Sequence, residues 1–307
     1  MSNQHIWRDL HPKVKHGLFA TVNNVTISNG VAIDANGVDV TDRIDIKPKL
    51  SGTQVRRNDG ADILSQHARD NGEFVFAFYS QSRTVDGRFP TLLKPDMARL
   101  MFIGTYTAWD GGRLNYENGR PMDKDGLHKL VDMSRKRFNE FYNRIVAENI
   151  VHVTENGDLL MNPSVFYRGG LKSSDYAVKG MQYTRMFRDT VRDLYHKFNG
   201  RALGQLALLY EVMPFINFST NIIAYNAEVI DKHDVKPMSL EKLALLLDYT
   251  DSRRLKTALN RVRVDNQPVF GFFENPHDRR SYRIVVNPRA VYAGKGEDLG
   301  AISALFN

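Results

Sequence analysis

The chain has 307 residues, of which 42% are hydrophobic and 25% charged, with no cysteine and a net charge of +7. The length suits two or three domains, and the lack of cysteine excludes a disulfide frame or a thiolate metal site. No run reaches the roughly 18 apolar residues of a membrane span, the polar start MSNQHIWRDLHPKVKH holds no signal core, and the basic balance directs attention to polyanionic partners.

In chain order, residues 1–72 are expected to form a small β-rich region, with hairpins at Asn29-Gly30 and Asn36-Gly37. The stretch SGTQVRRNDGADILSQHARDNG is expected to be loop with one helical turn. EFVFAFYSQS, from Glu73, predicts a strand opening a domain over 73–170. KPDMARLMFIGTYTAW predicts a helix entered through Pro95, and GGRLNYENGRP a turn with a short extended piece. DKDGLHKLVDM predicts a short helix. Ser134 is placed to cap the next one, whose apolar stripe is Phe138, Phe141, Tyr142, Ile145 and Val146. IVHVTENGDLLMNP predicts a hairpin about Asn156-Gly157.

Residues 171–200 are expected to be a basic connector, with a polar joint GGLKSSDYAVKG and one amphipathic helix from Tyr183 to Phe198. The order then repeats over 201–296, and 297–307 is expected to be a C-terminal tail. Asn162-Pro163 returns as Asn287-Pro288, Asn143-Arg144 as Asn260-Arg261, and LHKL from Leu127 as LEKL from Leu240. ARLMFIGTYTAW resembles GQLALLYEVMPF. Similarities that keep their order mark a duplicated unit. Helix, short helix, turn, helix and hairpin is the order of a winged helix. The fold class expected is therefore α+β, mainly α, with tandem winged helix-turn-helix domains after a β-rich N-terminal region.

In a helix-turn-helix the second helix enters the major groove, and arginine and asparagine suit bidentate contact with guanine and adenine. The candidate DNA-binding residues are Ser134, Arg135, Lys136, Arg137, Asn139 and Asn143 in the first unit, and Thr250, Ser252, Arg253, Arg254, Lys256, Thr257 and Asn260 in the second. Arg185, Arg188 and Arg192 of the connector are expected on phosphate, and Arg279 and Arg280 of the second wing on the DNA backbone or in the minor groove. Segments 133–146, 250–263 and 168–201 carry +3, +4 and +5, so the rest of the chain is −5. Such concentrated charge suits phosphate attraction.

No enzyme signature stands out, and neither a metal nor a cofactor is expected. The sequence holds no phosphate-cradling glycine loop and no His-Glu-x-x-His. His277-x-x-Arg280 fits a tyrosine-recombinase pattern, but Tyr282 and Tyr292 follow too soon.

NIIAYNAEVIDKHDVKPMSLEKLALLLDY, followed by a basic helix and a wing closing in VNPRAVYAG, resembles the winged-helix proteins of Gram-positive plasmids and phages. MNPSVFYRGG is similar to the matching segment of their replication initiators. The resemblance covers residues 73–295. It implies a double-stranded DNA-binding protein of the bacterial cytoplasm and nucleoid, either a transcription regulator or a replication initiator. A homodimer and a host or phage protein are the further partners considered. The alternative is a phage module acting on host transcription or replication machinery through protein contacts.

Overall fold

The computed structural model describes residues 11–13, 25–43, 51–79, 88–109, 111–170, 181–200, 202–275 and 278–307, with side chains omitted at 43, 275 and 278–281. The chain divides into two compact units, Met1–Val55 and Arg56–Asn307. It mixes helices with small sheets, compatible with α+β. The polar joint expected at 171–180 lies outside the described residues.

In the first unit, β1 (Thr26–Ser28) pairs with β2 (Val31–Ile33) through Asn29-Gly30. Both turn residues have positive φ, 50° and 81°, as a two-residue type I′ turn requires. At the next turn, the Asp34 side chain accepts from the amides of Asn36 and Val38.

The segment expected as loop is instead a helix, α1 (Gly52–Asp70). Its cause is tertiary. A Cβ on Gly60 would lie 2.9 Å from Glu297, and one on Gly296 would lie 1.7 Å from the Gly60 carbonyl oxygen. Two backbones therefore touch where only glycine fits, and that contact outweighs weak helix propensity. The expected tail is a helix too, α9 (Gly296–Ser303, numbered after the helices given below). Leu299, Ile302 and Phe306 pack with Ala68 and Phe187.

His67 of α1 rests edge-on against Phe187 at 4.7 Å, with Nε2 2.9 Å from the Pro288 carbonyl oxygen. Burial holds this imidazole below its ordinary value of 6.5, outweighing the opposing Pro288 and Asp70 contributions. Because the folded value is the lower one, its contribution is complete above the unfolded value and is lost as pH falls through the folded one. Acidification through this range should lower the melting temperature, and His67→Phe should flatten that response. An unchanged acid response in the variant would contradict this.

A four-stranded antiparallel sheet, ordered β12-β7-β3-β6, joins the parts of the second unit: β3 (Phe74–Tyr79), β6 (Phe166–Tyr167), β7 (Gln182–Phe187) and β12 (Val291–Tyr292). In β3, Val75, Ala77 and Tyr79 belong to the main core, while Phe76 and Phe78 cluster on the other face with Tyr167 and Tyr183. The single helix expected over Tyr183–Phe198 is therefore corrected. Its first part is strand β7, paired along its length with β3, and only α5 (Arg188–Phe198) is helical. Two-sided pairing fixes the strand.

The remaining elements form two series in the same order. The first runs α2 (Lys94–Gly104), a bridging segment 113–115, α3 (Lys124–Val131), α4 (Arg135–Ala147), β4 (Val151–Val153) and β5 (Leu159–Met161). The second runs α6 (Leu203–Val212), a bridging segment at Ile222 and Ile223, α7 (Leu240–Leu246) and α8 (Ser252–Arg261). A small hairpin of β8 (Arg263–Val264) and β9 (Gln267–Pro268) follows, and then β10 (Phe270–Asn275) and β11 (Asp278–Val286).

The two series agree bond by bond. The Leu114 amide donates to Leu159 O and the Ile223 amide to Ile284 O, both at 2.8 Å. Met122 donates to Leu114 O as Met238 does to Ile223 O, and Asn162 to Ile150 O as Asn287 does to Val269 O. After each hairpin the asparagine side chain accepts from the amide two residues on, Ser164 in one case and Arg289 in the other. The strand that follows then joins the sheet, β6 beside β3 and β12 beside β7. This explains the repeated Asn-Pro: the asparagine caps the turn, and the proline sits where ladder pairing has stopped. One detail of the sequence alignment changes. Leu127 and Leu243 occupy matching places, donating to the capping residues Asp123 and Ser239, so LHKL is offset from LEKL by a helical turn.

Candidate nucleic-acid interface

The second helix of each short pair carries a sharply divided surface. In α4, Phe138, Phe141, Tyr142 and Ile145 are buried. Ser134, Arg135, Lys136, Arg137 and Asn143 are exposed and Asn139 is half-buried. Ser134 occupies the N-cap position, but its side chain makes no cap bond. Arg144 does not belong to this face. Its guanidinium reaches back to the fully buried Asp96 of α2, with Nη2 at 2.8 Å and Nε at 2.9 Å.

In α8, Leu255, Ala258 and Leu259 are buried, and Thr250, Arg253, Arg254, Thr257 and Asn260 are exposed, with Ser252 half-buried. Asp251 is the cap, accepting from the Arg254 amide at 2.8 Å. The Arg254 Nε also lies 3.5 Å from the Asp251 carboxylate, a weak exposed pair that partly occupies it. Arg253 has no such competitor among the described contacts. The Lys256 ammonium sits 4.3 Å from the Tyr282 ring and 5.2 Å from Phe272, held against the β10–β11 hairpin by cation–π attraction. Sequence spacing along the helix gave no sign of those hairpin rings.

The hairpins differ as their sequences suggest. The first is short, with Gly157 at φ 84° in its turn and Glu155 and Asp158 beside it. The second is longer, and Arg279 and Arg280 lie in β11, near its tip. Their side chains and His277 fall outside the described residues.

The connector arginines do not form one exposed row, because each is tied into the fold by its own bonds. Arg185 donates to Gly294 O and lies over the Phe74 ring, and burial lowers its pKa. Arg188 donates to Thr105 O at 2.7 Å and to Gly72 O at 3.3 Å. Burial, then the neighbouring Arg192 and Arg168, push it down to about 10. Arg192 is 8% exposed and donates to Thr105 and Glu117. These side chains turn inward because β7 and α5 pack on both sides, which a charge count along the sequence does not register.

Among the described residues no cluster of histidine, cysteine or carboxylates is arranged to hold a metal ion. No helix among them is long and apolar enough to cross a membrane. Comparison with family models, curated proteins and solved structures finds no match to this chain.

Proposed function

We propose that this protein is a sequence-specific double-stranded DNA-binding protein built on two tandem winged helices, with α4 and α8 as the recognition helices. Its role would be that of a phage or plasmid transcription regulator or replication initiator. The observation that carries the proposal is the twofold construction of one element order, with an exposed arginine-rich helix start at the same place in each copy. A helix offered this way to a major groove brings Arg and Asn to base edges and flanking cations to phosphate. Two such units in one chain serve in cis the purpose for which many regulators dimerise.

A mobility shift across a salt series tests it. The exposed cations at the two helix starts are Arg135, Lys136, Arg137, Arg253 and Arg254. If all five neutralise phosphate, log K should fall against log salt with a slope near −4.5, roughly 500-fold between about 50 and 200 mM. Absence of a shift at moderate salt would overturn the proposal. It would favour the second reading, a protein-interaction module, for which the exposed Leu245 (68%) and Leu246 (40%) of α7 would supply an apolar contact.

A further inference from the structure

Beside the first repeat lies a polar cleft that the DNA reading does not use. Its volume is about 390 Å³, within the range of small-ligand sites. The loop after α2, the turn at 115–119, the residue following β6 and the start of α5 form its walls. Three arginines converge there from two segments, Arg168 after β6 and Arg188 and Arg192 on the first turns of α5. Burial first, and then the neighbouring guanidiniums, lower the pKa of Arg168 and Arg188. Glu117 and Asp189 oppose them, which leaves the site with an excess of positive charge.

Several groups in the cleft lack partners. Thr107 is 1% exposed, yet its hydroxyl has no hydrogen-bond partner among the described residues. The buried Asn115 Oδ1 and Arg168 Nε are likewise unsatisfied. Native proteins rarely leave such atoms unpaired; ordered water, an ion or a ligand meets them. At the mouth stands Trp109, 63% exposed, with the Arg168 guanidinium 5.8 Å from its ring centroid.

Glu117 shows what chemistry the site accepts. Its carboxylate meets Arg192 Nη1 at 2.5 Å, but its side chain is 74% exposed, on a surface turn. An acid on a turn can swing out and yield its place to a stronger anion. Planar guanidinium forks suit phosphate oxygens, and an exposed indole suits a stacked ring.

We propose that this cleft binds a small phosphate-bearing aromatic compound of mononucleotide size, with its phosphate on Arg192 in place of Glu117 and beside Arg168, a donor to Thr107 and its ring against Trp109. Such a ligand would be an effector, separate from the duplex.

The test uses the full chain with Trp7→Phe, leaving Trp109 as the one indole of the two in the sequence. Adenosine monophosphate, adenosine, inorganic phosphate and a duplex oligonucleotide are titrated against Trp109 emission. The nucleotide should give a saturable change, adenosine none, and phosphate should compete with the nucleotide. Arg168→Ala should weaken binding about tenfold or more, the loss of about one charge-assisted contact. Glu117→Gln should tighten it. If Arg168→Ala melts far below the parent, Thr107→Val, of the same shape without the hydroxyl, takes its place and should also weaken binding. No saturable change with the nucleotide, or equal affinity in both variants and the parent, would overturn the proposal. So would displacement of the nucleotide by duplex DNA, which would assign the phosphate cradle to the DNA backbone. Because the mobility shift is read separately, failure here leaves the DNA reading standing, and the reverse also holds.

Discussion

Asp96→Ala should cost about 3–5 kcal/mol of stability, a fall of roughly 6–20 °C in melting temperature for a unit of this size. Asp96 is fully buried at the start of α2, where its carboxylate accepts from the Leu93 amide. It pairs with Arg99 at 2.8 Å and with Arg144 of α4 at 2.8 Å. The two guanidiniums are largely buried as well, with side-chain exposures of 15% and 24%. Removing the acid leaves both cations in a dry place without a counter-charge, which is the expensive way to break a buried pair. A double variant, Asp96→Ala with Arg144→Met, should recover part of the loss, because it replaces charge with apolar volume. Thermal melting of the single and double variants checks this, and a single variant melting within about 2 °C of the parent would refute it. The same pair is the tie between α2 and the exposed helix α4, so the single variant should also disturb whatever α4 contacts.

Arg253→Ala should reduce affinity for the preferred DNA site by about tenfold or more while leaving random DNA far less affected. A lost bidentate contact to guanine is worth about 1–3 kcal/mol at one base pair. Between the two adjacent arginines, Arg253 is the stronger choice, since Arg254 has Asp251 3.5 Å away. Both side chains are exposed and Leu255 and Leu259 hold the helix from the other side, so the melting temperature should be unchanged. Competition shifts with specific and random duplexes measure the ratio. Equal proportional loss on both duplexes would make Arg253 a phosphate contact only. No loss on either would take α8 off the DNA.

Much of the architecture was legible because it rests on local chemistry. The Asn-Gly turns and the two Asn-Pro exits each act within a few residues, and sequence spacing reports such effects directly. The exposed polar faces of α4 and α8 follow from helical period alone. What could not be read depends on distant partners. The helix α1 forms where Gly60 meets Gly296, and β7 is a strand because β3 and β12 flank it. Arg192 counts as one more positive charge in the sequence, yet it lies inside the fold on Thr105 and Glu117. Lys256 fits the helix face by spacing, but hairpin rings hold it to one side. The cleft beside Trp109 draws its three arginines from two separate segments, and no periodicity announces such a meeting.

The four-stranded sheet has a consequence for synthesis. Its two central strands, β3 and β7, are separated by the whole first repeat. As the chain leaves the ribosome, β3 and then β6 appear while the β7 edge is still missing. At about 5–20 residues per second, the roughly one hundred residues between β3 and β7 take on the order of 5–20 s to make. Through that interval β3, with Val75, Phe76 and Phe78, offers unpaired backbone and apolar side chains to any neighbouring nascent strand. Nascent chains crowded on one message are thus most exposed to mispairing before residue 187 is made. A stop codon placed between β6 and β7 should give an insoluble fragment rather than a working half.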